Sequence, residues 1–176
     1  MTTLLDELLD QEFLDKLLIY QTFMNSEGPL LKEEFYGYFD LSTQKLESLC
    51  RQINYECTQI SSRSQILFPA KGLISAQKLS QIDYQALRKY YFDQSLMAKL
   101  LLDVGLYQKH TIQEFSQIHF MSKSKIYAFS YKLNLILANW RIKLKSTGLV
   151  CIIFMEVIKK GCLTFCWKIV LALSDL

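Results

Sequence analysis

A chain of 176 residues that is 51% hydrophobic and 13% aromatic, with two prolines and six glycines, has the means to bury a core, which excludes wholesale disorder. Its length fits one domain or two small ones sharing a core, because domains usually run to roughly 100–150 residues. The net charge of +3 conceals an asymmetry: residues 1–57 carry four Lys/Arg against eleven Asp/Glu, net −7, whereas residues 107–145 carry seven against one, net +6, so the second half is the better polyanion binder.

Residues 12–24 place Phe13, Leu17, Leu18 and Phe23 or Met24 at helical spacing. Asn25-Ser26-Glu27-Gly28 stops this helix, and Pro29, suited to a first helical turn, starts another that presents Leu31 and Phe35 on one side and ends near Asp40. Ser42 reads as the N-cap of a third helix, with Leu46, Leu49, Ile53 and Cys57 forming one apolar face. From Thr58 to Ser75 the helical period is lost, and 65–68 and 73–75 read as two strands around the turn 69–72.

Residues 80–92 return to a helical period with Ile82, Leu87 and Tyr90-Tyr91-Phe92, and Asp93-Gln94-Ser95 caps a further helix through Leu106. The pattern then repeats about 80 residues on. Thr111 caps a helix carrying Ile112, Phe115 and Ile118, and Ser122 caps another carrying Ile126, Phe129, Leu133, Ile136 and Leu137. A second hairpin is expected from 140–145, which alternates strictly, through a turn at 146–148, to an apolar strand at 149–153. Helix, helix, helix, hairpin is the order of a winged helix-turn-helix. The predicted fold is therefore mainly α with short β-hairpin wings: a first winged helix-turn-helix at 1–78, a connecting helix with a second at 79–153, and an apolar tail at 154–176.

In a helix-turn-helix the second helix of the pair enters the major groove, N-terminal residues first. If Ile126, Phe129 and Leu133 point inward, then Ser124, Tyr127, Ala128 and Tyr131 point outward, with Lys123, Lys125 and Lys132 on the flanks. This face anchors phosphate and holds few base readers, since strong base discrimination needs bidentate Arg, Asn or Gln. Arg141, Lys143 and Lys145 share one side of the predicted wing strand, a backbone clamp. In the first unit the outward positions are Thr43, Gln44, Glu47, Ser48 and Arg51. Gln44 and Arg51 suit base reading, but Glu47 and the acidic surroundings oppose phosphate and rank this unit second.

The five cysteines, Cys50, Cys57, Cys151, Cys162 and Cys166, are odd in number and lack zinc-ligand spacing, which predicts a reduced cytosolic protein. The acidic start Met1-Thr2-Thr3-Leu4-Leu5-Asp6 is unlike a signal peptide. His110 and His119 gather no Cys or carboxylate cluster, so both read as structural and no metal is expected. P-loop, Gly-x-Ser-x-Gly, His-Glu-x-x-His and dinucleotide motifs are all missing from the sequence. Neither catalysis, a cofactor nor a small-molecule substrate is expected.

The stretch Ile112-Gln113-Glu114-Phe115-Ser116-Gln117-Ile118-His119-Phe120-Met121-Ser122-Lys123-Ser124-Lys125-Ile126-Tyr127, marked by its Phe, Ser-x-Ser and Tyr, resembles the second helix-turn-helix of the RofA-like and Mga family of stand-alone virulence regulators from Gram-positive cocci. The likeness is most specific over 95–150 and extends more faintly from about residue 10. It implies DNA binding and transcription control. The family tends to place Arg directly after the motif Tyr, where this chain has Ala128. After the second wing the family looks to continue into a long regulatory region, whereas this chain runs through an apolar stretch, interrupted by Lys159, Lys160 and Lys168, and stops. The expectation is therefore a truncated or frameshifted regulator. A second reading makes it an interaction module, forming a homo-oligomer or sequestering a full-length relative. Membrane attachment through 149–173 ranks last, because the lysines break up any apolar span of the required length.

Overall fold

Helices and short strands follow one another in the same order twice along the chain, in a computed structural model that describes residues 4–39, 41–70, 72–107, 110–138, 142–147 and 152–157. The chain is mainly helical, with two small three-stranded antiparallel sheets. It divides into two units, one spanning Asp10–Tyr91 and the other combining residues 1–9 with residues 92–176.

The first unit contains α2 (Gln11–Met24), β1 (Leu30–Leu31), α3 (Lys32–Phe39), α4 (Thr43–Gln59), β2 (Gln65–Leu67), β3 (Leu73–Gln77) and most of α5 (Gln81–Gln94). The short α1 (Leu4–Glu7) belongs to the other unit, with α6 (Leu96–Tyr107), β4 (His110–Thr111), α7 (Ile112–Ile118), α8 (Lys123–Ala138), β5 (Ile142–Thr147) and β6 (Ile152–Val157). The sheets have equivalent orders, β1-β3-β2 and β4-β6-β5.

The repeat holds residue by residue at a spacing of 80. Ser42 and Ser122 each accept a hydrogen bond from the backbone N–H three residues on, at 3.3 Å in both cases, and so start α4 and α8. Phe35 and Phe115 are both 1% exposed, and Leu46 and Ile126, like Ile53 and Leu133, are fully enclosed. Thr111 and Glu114 form a capping box ahead of α7. In the first unit Leu31 supplies no capping oxygen, and only the return bond remains, from the Leu31 N–H to Glu34 Oε2 at 3.1 Å.

Several sequence expectations are corrected. Pro29 does not begin a helix: Leu30 and Leu31 pair with Ile74 and Leu73 as a strand, and α3 starts at Lys32. Proline's fixed φ fits an extended segment as readily as a first helical turn, and here strand pairing decides. Leu31 is accordingly half-exposed rather than part of a helical face with Phe35, and Leu18, Ile82 and Ile118 also lie outside the core. Ser146 and Thr147 are not a turn but the end of β5. The return strand is Ile152–Val157, paired from Ile142↔Val157 to Thr147↔Ile152, so the expected tail boundary at residue 154 falls inside a strand. The remainder of that tail, residues 158–176, and the expected strand positions 149–151 lie outside the described residues.

Polar side chains fix the first unit as firmly as its apolar core does. Lys16 is 2% exposed, and its Nζ lies 2.7 Å from Glu56 Oε1, while the Tyr91 hydroxyl donates to Glu56 Oε2 at 2.6 Å. The ammonium also lies 5.5 Å from the ring centres of both Phe13 and Tyr91, which stack at 4.9 Å. This cluster joins α2, α4 and α5. Asn54 on α4 grips the backbone of β2 twice, donating to the Ile66 carbonyl at 2.8 Å and accepting from its N–H at 2.7 Å. Ser80 caps α5 through Asp83, and Ser64 ties Asp83 to Tyr20.

Removing one member of a buried ion pair leaves the other charge stranded, so Lys16→Met is expected to lower unfolding stability by about 3 kcal/mol or more. Lys16→Met combined with Glu56→Gln should recover part of that loss, as urea denaturation of the single and double variants will show. The cysteines of α4 set a second expectation. Burial pushes the Cys50 thiol up from 9.0 to about 12 and the Cys57 thiol up to about 11. Above pH 9 the unfolded chain loses these protons while the folded chain keeps them, so their stabilising contribution is complete at neutral pH and is lost as pH rises through 11–12. The urea midpoint should fall between pH 8 and 10.5, and fall less in a Cys50→Ala, Cys57→Ala variant.

Candidate nucleic-acid interface

α8 is a sixteen-residue helix with three lysines and no acidic residue. Ile126, Leu133 and Leu137 are buried, which fixes the rotation of the helix and turns Lys123, Ser124, Lys125, Tyr127, Ala128, Tyr131 and Lys132 outward. All seven are positions the sequence placed outward or on the flanks, and they share one exposed surface. Among the described residues, no carboxylate pairs with Lys123, Lys125 or Lys132. Two polar groups are engaged locally: Ser124 Oγ lies 3.1 Å from Ser122 Oγ, and Lys125 Nζ lies 5.6 Å from the Phe129 ring centre.

The turn into α8 is tight. The Met121 N–H donates to the Ser116 carbonyl at 3.0 Å, the Ser116 hydroxyl donates to the Met121 carbonyl, and the His119 N–H donates to the Phe115 carbonyl at 3.0 Å. Met121 is buried beneath this turn, while Phe120 takes a left-handed φ of 52° and is 97% exposed. The His119 ring packs against Phe115 at 4.2 Å, tilted by 48°, and places Nε2 3.7 Å from Asp103 Oδ2, which ties α7 to α6.

In the first unit Thr43, Gln44, Ser48 and Arg51 lie on α4, with Gln44, Ser48 and Arg51 exposed. Their surroundings differ from those of α8. Glu47 is ion-paired with Lys32, whose hydrogen bond holds the carboxyl below its usual range. Lys45 pairs with Glu12 at 3.1 Å, and the Arg51 guanidinium lies 5.6 Å from the Phe68 ring centre beside the hairpin. Ser48 accepts a hydrogen bond from Gln52 at 3.4 Å. The cations of this face are thus engaged with neighbours from their own unit.

Lys143 and Lys145 fall within β5, whereas Arg141 lies outside the described residues. Tyr127 and Tyr131, which the sequence singled out, form a row with Leu135, which it did not; the three are 45%, 68% and 58% exposed. Their spacing of four was the available signal. Among the described residues no group of His, Cys, Asp or Glu is arranged to hold a metal ion, and no helix is long and apolar enough to cross a membrane.

No protein-family model and no curated protein matches the chain. A solved structure, that of a conserved hypothetical protein from Chlorobium tepidum, is similar at 14% identity over 89% of this chain and 98% of that chain, with a TM-score of 0.35. A likeness that weak carries no information about function.

The left-handed position of Phe120 is one that a residue with a Cβ occupies at a cost, and asparagine or glycine tolerates it better. Its side chain gives up little packing at 97% exposure. Phe120→Asn is expected to raise stability by about 0.5–1 kcal/mol, seen as a higher thermal midpoint by circular dichroism.

Proposed function

We propose that the protein binds double-stranded DNA as a cytoplasmic transcription regulator of the RofA-like and Mga kind, with each unit acting as a winged helix-turn-helix. The observation that carries this reading is the outward face of α8, directly after a capped tight turn, where Lys123, Lys125 and Lys132 have no carboxylate partner among the described residues. Support comes from the element order, in which α7 and α8 form the helix pair and β5 and β6 the wing. A helix so placed enters the major groove with its first turns leading, and lysines along it neutralise phosphates.

On this reading the second unit is the main anchor, with Lys143 and Lys145 of β5 adding backbone contacts. The first unit contributes Gln44 and Arg51 more weakly, because Lys32 and Lys45 already have carboxylate partners. A protein-interaction or dimerisation module is the second reading, favoured by the exposed row Tyr127, Tyr131 and Leu135.

Gel-shift titration of the full chain on duplex DNA at two salt concentrations tests the proposal. Binding should weaken as salt rises, by about 0.9 in log–log slope for each phosphate neutralised. Lys123→Glu with Lys125→Glu should weaken binding at least about tenfold and flatten the slope by about two. No retardation of any duplex at low salt overturns the reading, and a function unaffected by the double substitution favours a protein partner instead.

A further inference from the structure

Resting on the DNA-binding reading, we propose that α8 reads sequence through the C5-methyl groups of thymine, with Ala128 as the central contact and Tyr127 and Tyr131 as flanking walls. The first argument is one of elimination. The side chains that grip purines or cytosine by paired hydrogen bonds are Arg, Asn, Gln, Asp and Glu, and none occurs between Lys123 and Lys132. Lysine is the remaining candidate for guanine, but Lys125 folds back over Phe129. Ser124 is within hydrogen-bond distance of Ser122, in the turn before the helix.

The second argument is what the surface does offer. Ala128 is exposed, one helical turn beyond Ser124 and one turn before Lys132, so its methyl group stands midway along the outward face. Tyr127 is 45% exposed and Tyr131 68% exposed, and they border Ala128 in the neighbouring row. An alanine methyl beside a row of two aromatic rings makes a shallow apolar patch, and lysines at either end are suited to the phosphates on both sides of a groove. In the major groove the apolar group that distinguishes one base pair from the others is the thymine methyl. The short side chain at 128 also allows the helix backbone to approach the base edges more closely than an arginine would.

The charge on this surface selects the occupant. A bare apolar stripe fits a second protein as well as it fits DNA, but a stripe framed by Lys123, Lys125 and Lys132 without an acid anywhere on α8 is complementary to a polyanion.

The test begins by selecting duplexes from a random-sequence pool with the full chain. The best binder is then resynthesised with deoxyuridine replacing one thymidine at a time, which removes the methyl and leaves every hydrogen-bonding group in place. Runs of thymine should be enriched, and at the contacted positions the loss should be about three- to fivefold per methyl, without change in salt slope. Ala128→Gly should bind thymine and uracil duplexes equally while keeping its salt dependence, and circular dichroism will verify that α8 persists. Equal binding of thymine and uracil duplexes by the unsubstituted chain overturns this proposal and leaves DNA binding intact. Failure to retain any duplex at low salt overturns the DNA reading and this proposal together.

Discussion

The buried ammonium of Lys16 is the constraint on which the first unit depends. A charge removed from water is tolerated only where partners replace its hydration, and at 2% exposure Lys16 relies on Glu56, on Glu12 at 3.6 Å and on the faces of Phe13 and Tyr91. Glu56 in turn uses its second oxygen to accept from Tyr91. Sliding any one of α2, α4 or α5 along its neighbours strands a charge or a hydroxyl. Apolar contacts alone tolerate small shifts, whereas this cluster permits one relative placement, and through α4 it fixes where Gln44, Ser48 and Arg51 emerge.

The two units share a frame but spend their surface charge differently. In the first, Lys32, Lys45 and Arg51 are each drawn to a neighbour, two to carboxylates and one to the Phe68 ring. In the second, α8 contains no acidic residue, and among the described residues none of its lysines has a carboxylate partner. The imbalance of −7 over residues 1–57 and +6 over residues 107–145 has a local counterpart: on α4 the cations are engaged with neighbours of their own unit, whereas the lysines of α8 have no carboxylate partner among the described residues.

Much of this was legible in the residues because it obeys local rules. Ser42, Thr111 and Ser122 announce helix starts, since a cap needs only its own residue and the backbone two or three positions on. The rows Leu46, Leu49, Ile53 and Ile126, Leu133, Leu137 follow from the helical period, and with them the outward face of α8. What escaped depends on distant partners. β1 and β4 are strands only because β3 and β6 lie alongside, and two residues leave no alternation to recognise. Lys16 reads in isolation as an ordinary solvated lysine, and only the approach of Glu56 from forty residues away makes it internal. Phe120 in a left-handed turn was hidden for the opposite reason, because the residue type argues against the conformation.

The two residues that follow the short helix α1 tie chain order to folding order. Leu8 and Leu9 are each 1% exposed and belong with residues 92–176, and the Leu8 carbonyl accepts from Ser95 Oγ at 2.6 Å across a separation of 87 residues. During synthesis at about 5–20 residues per second, that partner follows Leu8 by roughly 4–17 s. The first unit is complete at residue 91, so its folding can run ahead while two adjacent leucines just upstream of it remain without cover. Their cover arrives only when α6 has been made.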